Sequence, residues 1–305
     1  MKNILVIYYS QTGQLKQIIE SVLSEIKESV VIDYREIIPQ NPFPFPWTSD
    51  VFFDAMPESV QQISEPIEPL DIPNKNYDLV ILGYQPWFLS PSIPINSFLQ
   101  SEQAQCLKNK NILTIIGARN MWLNAQEKIK YSLINLNAKL VGNIVLCDNN
   151  PNLISVLTVM RWTFKGQKEK STFLPDAGVQ SIDITNASRF GNPILKSIES
   201  NQFQNLQTNL LKLNAVDLKP DLVILEKRGI KNFRKFSNFI LKKGERGNPQ
   251  RLPRVKLFKR LLIIGVFILS PISNLTARFQ AILNNKTIFQ KVEYFKNISY
   301  HENEI

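Results

Sequence analysis

The sequence is poor in the residues that carry covalent and metal chemistry. Its 305 residues include one histidine, His301, and two cysteines, Cys106 and Cys147. So few cysteines give no disulfide framework and suit a reducing compartment. His301 stands in a polar tail, and neither cysteine sits in a recognisable nucleophile setting. No metal-ligand set is expected. Long apolar runs are missing too. Leu261–Ile272 is shorter than the roughly 20 residues of a spanning helix, and Pro271 would kink it. At the start, Lys2 precedes a short apolar run that enters a polar loop with no small-residue cleavage site, which excludes a secretory signal. The expectation is a cytoplasmic location, with peripheral attachment to the inner membrane as an option.

Acidic residues are scarce in one place. Thirteen cations lie between Lys227 and Arg260, and Glu245 is the only acid among them. That segment carries +12 of a net +10, which leaves −2 for everything else. The basic character is therefore one local device. Ile230, Phe233, Phe236, Phe239, Ile240 and Leu241 interleave with the charges, as in a cationic amphipathic helix over 229–243. With Leu261–Ile272 behind it, this reads as a monotopic attachment to an anionic membrane surface. A buried C-terminal helix and a dimer contact are the alternatives. Nucleic acid is disfavoured, because no nucleic-acid-binding module accompanies the charge.

What is present begins at the N-terminus. Ile4–Ile7 is an apolar run fit for a strand buried on both faces. Ser10, Gln11, Thr12, Gly13 and Gln14 form a hydroxyl- and amide-rich turn. Leu15, Ile18, Ile19, Val22, Leu23 and Ile26 then recur at helical spacing. A strand, a polar loop and a helix N-terminus make an anion site, where the helix dipole and free N–H groups favour negative charge. A plain helix N-cap is the alternative.

Further strands are predicted at Val30–Tyr34, Tyr77–Gly83, Asn111–Gly117 and Leu140–Leu146, alternating with helices. This implies a parallel sheet covered by helices on both faces, with insertions at 36–76 and 149–190. The first insertion holds eight prolines from Pro39 to Pro73, which exclude a long regular element. Its aromatics, Phe43, Phe45, Trp47, Phe52 and Phe53, suit an apolar flap or a loop packed on itself. In the second, Leu153–Phe164 reads as a buried helix and 179–184 as a short extended piece. A last core helix is expected over 193–213, and Leu218–Leu225 reads as extended. The division expected is a core over 1–215 and a basic, apolar extension over 216–305.

In such sheets ligands sit beyond the C-terminal strand ends, where strand order reverses. Three loops converge there. Ser10, Gln11, Thr12, Gly13, Gln14 and Leu15 suit a phosphate. Pro86, Trp87 and Phe88, with Ala118, Arg119, Asn120 and Trp122, suit a flat aromatic ring.

The first loop resembles the FMN-phosphate loop of flavodoxin-like proteins, Ser/Thr-x-Thr-Gly-x-Thr, with Leu15 in place of the final threonine. A wider resemblance covers nearly the whole chain. It runs through Tyr-Tyr-Ser-Gln-Thr-Gly-Gln at 8–14, Phe-Phe-x-x-x-Pro-Glu-Ser at 52–59 and Tyr-Gln-Pro-Trp-Phe-Leu-Ser-Pro-Ser-Ile-Pro at 84–94. Arg161-Trp162, Val-Asp-Leu-Lys-Pro-Asp-Leu-Val at 216–223 and Ser270-Pro271-Ile272 continue it. By these motifs the chain resembles the bacterial dialkylresorcinol-condensing enzyme family, flavodoxin-like proteins associated with dialkylresorcinol and flexirubin-type pigment pathways.

The resemblance implies a flavodoxin-like, doubly wound five-stranded parallel sheet in the order 2-1-3-4-5, FMN as cofactor, a lipid-like cyclic dione as substrate and a partner ketosynthase. The family name speaks of condensation, yet a flavin suits dehydrogenation of a 2,5-dialkylcyclohexane-1,3-dione to a 2,5-dialkylresorcinol. In that reading Tyr84 orients or deprotonates a ring oxygen and Arg119 stabilises an enolate. Arg161 stays open, as a phosphate partner, an acid or neither. Two other readings stand beside it. One is a flavodoxin-like electron carrier or quinone reductase, which the aromatic insertion and basic tail argue against. The other is a cofactor-free scaffold for a partner synthase, which Leu15 favours.

Overall fold

The computed structural model describes residues 1–302. The side chains of Ser270, Pro271, Ile272 and Arg278, and those at 274 and 285, lie outside the described residues. Five parallel strands form the central sheet: β1 (Lys2–Tyr8), β2 (Val30–Glu36), β3 (Leu79–Tyr84), β4 (Asn111–Ala118) and β5 (Lys139–Cys147). Their order across the sheet is β2-β1-β3-β4-β5, the flavodoxin-like doubly wound order. Strand β1 pairs in register with β2 from Lys2↔Val30 to Tyr8↔Glu36, and with β3 from Ile4↔Leu79 to Tyr8↔Gly83. Strand order therefore reverses between β1 and β3.

Alternate strand residues feed opposite cores, as the two-residue period requires. Ile4 and Val6 pack with Leu15, Ile18, Ile19 and Val22 of α1 (Gln14–Leu23). Leu5 and Ile7 share the other core with Phe98 and Ile129.

The first insertion carries two short helices, α2 (Ser49–Asp54) and α3 (Met56–Gln61), so its prolines leave no long element. Helices α4 (Ile93–Gln100) and α5 (Leu123–Asn135) follow β3 and β4. After β5 come α6 (Asn152–Lys165), α7 (Ser181–Thr185), α8 (Gly191–Ser200) and α9 (Leu206–Lys212). The expected helix over 193–213 is thus two, broken where Asn201 takes a φ of 53°. The extended piece expected at 179–184 is instead the short α7, which begins at Ser181.

Helix α6 corrects a second expectation. It is helical, but it is not a buried apolar helix. Only Ser155 and Thr158 are buried, while Ile154 and Leu157 are exposed. The reason is what lies beneath it. Ser155 Oγ donates to Asp148 Oδ2 at 2.7 Å, and Thr158 Oγ1 donates to the Ser155 carbonyl. The inward face meets a polar loop, so its polar side chains turn in.

The extension is mostly helical over its described length. Helix α10 (Pro220–Leu241) begins at a proline suited to a first helical turn, so the stretch expected to be extended at 218–225 is mostly helix. Helix α11 (Leu252–Ile264) leads through a π-helical stretch, Gly265–Leu269, into α12 (Ser270–Leu283) and then α13 (Asn285–Lys296). Among the described residues, no helix is long and apolar enough to cross a membrane. The extension packs on the sheet: Val223, Ile224, Ile288, Val292 and Phe295 join the core that holds Leu5 and Ile7.

Two of the thirteen cations are internal fastenings. Arg251 is fully buried, with its guanidinium on Asp54 (2.8 Å) and Glu58 (2.7 Å) of the first insertion. Arg246 pairs with Glu65. A polar chain also crosses the core. Tyr84 donates to Gln126 (2.5 Å), Gln126 to Thr114 (3.2 Å) and Thr114 to Asn143 Oδ1 (2.9 Å). The Asn143 amide donates to Gln207 (2.7 Å), which donates to the Lys296 carbonyl (2.7 Å).

Candidate functional site

The loop after β1 is built to keep its donors free. Gly13 takes a φ of 79° directly before α1, a backbone conformation that costs other residues about 1–2 kcal/mol. A Cβ there would meet nothing within 4 Å, so the space beside it is open. Gln17 donates to the Gly13 carbonyl at 3.1 Å, closing the first helical turn. No hydrogen bond joins the N–H groups of Gln11 through Lys16 to another described residue. The Ser10 hydroxyl is buried and likewise has no partner among the described residues. A buried polar atom left in this way costs about 1–3 kcal/mol.

The two glutamines of this loop look away from it. Gln14 donates to the Val179 carbonyl at 3.0 Å and accepts the Val179 amide at 3.1 Å. It pins the second insertion, where Gly178 at a φ of 77° presses against Gln14 and Trp162. Gln11 accepts from the Tyr9 hydroxyl and donates to the carbonyls of Phe43 and Pro44 at 3.2 Å. The loop is thereby stitched to both insertions. Thr12 is half-buried, and Leu15 is in the core.

The loop after β3 brings an aromatic wall. Trp87 has ring-centroid distances of 5.9 Å to Tyr9, 5.0 Å to Phe43 and 5.3 Å to Trp47, all edge to face. Pro86 and Phe88 are half-buried beside it. The Pro86–Trp87 and Ser90–Pro91 segments form a small hairpin, turned by Phe88 (φ 48°) and Leu89 (φ 61°). Left-handed backbone is unfavourable for both residues and persists because the surroundings over-determine it. Ser59 donates to the Trp87 carbonyl (2.9 Å), and Asn124 donates to the Leu89 carbonyl (2.5 Å). Behind the hairpin, Lys128 donates to Ser90 Oγ (3.0 Å) and the Val60 carbonyl (2.6 Å), and burial pulls its ammonium down to about 7.

The loop after β4 is tied to the loop after β5. Arg119 Nη1 donates to Asn152 Oδ1 at 2.8 Å, and Asn120 donates to the same oxygen at 3.0 Å. Burial lowers the Arg119 guanidinium to about 10, with Asp148 opposing, so it stays charged at neutral pH. The Asp148 amide bonds the carbonyls of Ala118 and Arg119. Asn120 Oδ1 and Arg161 Nε are buried and, like Ser10 Oγ, have no partner among the described residues.

Two of the predicted residues sit deeper than the loops. Tyr84 is fully buried, its hydroxyl spent on Gln126, and burial with nearby Glu127 and Glu226 pushes it well above the usual tyrosine range. Trp122 is in the core, its Nε1 without a partner among the described residues.

Asp148, Asn152 and Glu226 complete the surroundings and were not singled out from the sequence. Glu226 had a signal there. Val223, Glu226, Ile230, Ser237 and Ile240 share the buried face of α10, so an acid stood on an apolar stripe. Asp148 lies in the irregular loop after β5 and Asn152 at the first position of α6, and no periodic pattern marks either.

No family model matches this chain, and no curated protein matches it. Solved structures resemble it in fold. A flavoprotein from Lactobacillus acidophilus NCFM, solved in complex with FMN, is 21% identical, covers 48% of this chain and 93% of its own, and gives a TM-score of 0.37. A putative flavoprotein from Bacteroides uniformis ATCC 8492 is 18% identical, with 53% and 97% covered and a TM-score of 0.37. A flavodoxin from the domain Archaea is 11% identical, with 65% and 99% covered and a TM-score of 0.36.

Proposed function

We propose that this chain binds FMN at the loops after β1, β3 and β4 and acts as a flavin-dependent oxidoreductase on a lipid-like cyclic dione. The observation that carries the reading is the buried, partnerless Ser10 hydroxyl beside a run of undonated amides at the start of α1. Hydroxyl and amide donors around an open glycine suit a phosphate dianion. Ser10, Thr12 and the backbone of 11–15 would hold it. Trp87, Phe88 and the segment 118–122 would border the ring system.

When bound, the flavin would accept a hydride, and with loss of one proton a 2,5-dialkylcyclohexane-1,3-dione becomes a 2,5-dialkylresorcinol. The rest falls to the polypeptide. Arg119 keeps its charge and is oriented by Asn152, which suits it to steady an enolate oxygen. Tyr84 acts from behind, holding Gln126 at the root of α5. The aromatic wall offers an apolar border for alkyl chains and keeps water from the ring. A separate condensing enzyme would supply the carbon skeleton.

One feature favours a second reading, a scaffold that has lost its cofactor. Leu15 is buried where a third hydroxyl donor would stand, and both loop glutamines serve the insertions. The visible spectrum of the purified protein separates the two, followed by titration of the colourless form with FMN. Saturable binding with a flavin spectrum is expected. A protein that stays colourless in excess FMN overturns the flavin reading. Anaerobic bleaching of the bound flavin by a cyclohexane-1,3-dione tests the substrate class.

A further inference from the structure

We propose that the helical run from α11 through the π-helical stretch into α12 is a docking face for an anionic lipid bilayer, on which the chain lies without crossing. The face is apolar and uncovered. Leu261, Ile264 and Ile268 follow one another at helical spacing, and Leu275, Phe279 and Leu283 continue the exposed apolar surface on α12. Ile268 is 62% exposed and Leu283 is 82% exposed, which is far beyond what scattered surface residues require.

This face cannot fold back onto the core, because the other sides of the same helices are already used. Val255 and Phe258 of α11 are buried against Phe53 and Met56 of the first insertion. On α12, Ala277 is buried. Arg228 of α10 clamps that helix through Thr276 Oγ1 (3.0 Å) and Gln280 Oε1 (2.9 Å). Val292 and Phe295 then fasten α13 in the central core. Both ends of this helical run are held, and its apolar side is left outward.

The charge pattern selects the occupant. Leaving aside Arg246 and Arg251, which pair with acids of the first insertion, fourteen cations and a single acid, Glu245, lie between Lys227 and Val292. Lys256 and Arg260 are exposed and run one helical row beside Leu257 and Leu261. A second copy would bring like charge against like charge. An anionic headgroup layer over hydrocarbon matches both features at once: the cations meet the headgroups and the aliphatic side chains enter the acyl boundary. No described helix is both long and apolar enough to span, so the contact lies in the plane of the membrane. The inference does not depend on the flavin reading.

Flotation of the full-length protein with vesicles tests it. Phosphatidylcholine vesicles are compared with a phosphatidylcholine–phosphatidylserine mixture. Binding is expected only to the mixture, and it should weaken in high salt. Reversing Lys256 and Arg260 to Glu should weaken it by about fivefold or more per residue. The exposed double variant Ile268→Glu/Phe279→Glu should abolish binding while thermal stability stays unchanged. A Phe279→Trp variant should be quenched by brominated acyl chains. Three results each overturn the proposal: no binding to the mixture, full binding by the Ile268→Glu/Phe279→Glu variant, or a dimer in solution that the same variant dissociates.

Discussion

The Glu226 carboxylate accepts the backbone N–H of Asn124 at 2.8 Å, with both residues inside the protein. The amides of Leu123 and Trp122 also point to it. An acid from the extension thus closes the first turn of α5, where the helix dipole favours negative charge. Burial outweighs these donors and raises the carboxyl from its ordinary 4.5 to about 7.

That shift fixes a pH dependence. The folded state holds a proton that the unfolded chain has already released. The contribution to stability is therefore complete below about pH 4.5 and is lost as pH rises through about 7. At about 1.4 kcal/mol per unit, the full loss is about 3 kcal/mol. Urea unfolding across this range should show the slope in the native protein. Glu226→Gln, which keeps an acceptor for the Asn124 amide, should flatten it.

Ser10→Ala removes a hydroxyl that has no partner among the described residues, so folding should be unchanged or slightly improved. FMN affinity should fall by about tenfold or more, as for a lost hydrogen bond to a charged group. Fluorescence titration reads both wild type and variant. Gly13→Ala should cost about 1 kcal/mol of backbone strain, since its Cβ meets open space.

Arg251→Met should be among the most destabilising single changes. It leaves Asp54 and Glu58 buried without their cation, an imbalance of about 3–5 kcal/mol. Burial already raises the Asp54 carboxyl, so protonation should relieve part of the cost. Limited proteolysis of the variant should cut first within 49–65, and less so in acid.

Tyr84→Phe and Arg119→Ala should separate structure from chemistry. The first leaves the Gln126 carbonyl without its donor and should cost about 1–3 kcal/mol of stability, with flavin content and turnover within about twofold. The second should retain flavin and lose turnover by about a hundredfold, if an enolate forms beside it. Equal turnover in both variants would remove Arg119 from the chemistry.

Much of the fold was legible because its signals are local. The run Ile4–Ile7 and the spacing from Leu15 to Ile26 specify a strand and a helix without outside help. Alternation specifies a parallel sheet with both faces covered, while the order of its strands rested on the resemblance of the loop after β1 to flavodoxin-like proteins. The errors share one cause, contacts from distant chain. Leu153–Phe164 is apolar enough to suggest burial, but the polar loop at Asp148 draws Ser155 inward and leaves Ile154 outside. Leu218–Leu225 has a strand's composition, yet Pro220 starts a helix whose buried face is set by α3 and α5. The basic segment read as uniform surface, and only the insertion's acids reveal Arg251 as internal. Within the candidate site, the polar loop after β1 was legible as a motif. The turning away of Gln11 and Gln14 was not, because their partners lie 32 and 165 residues on.

The chain of amides and hydroxyls from Tyr84 to the Lys296 carbonyl makes α13 a fastening, not an ornament. Cutting the protein short ahead of it would strand the Gln207 carboxamide and pull slack into the strand carrying Asn143. Shortened versions made to improve handling should therefore lose rigidity near the root of the aromatic wall, well away from the cut.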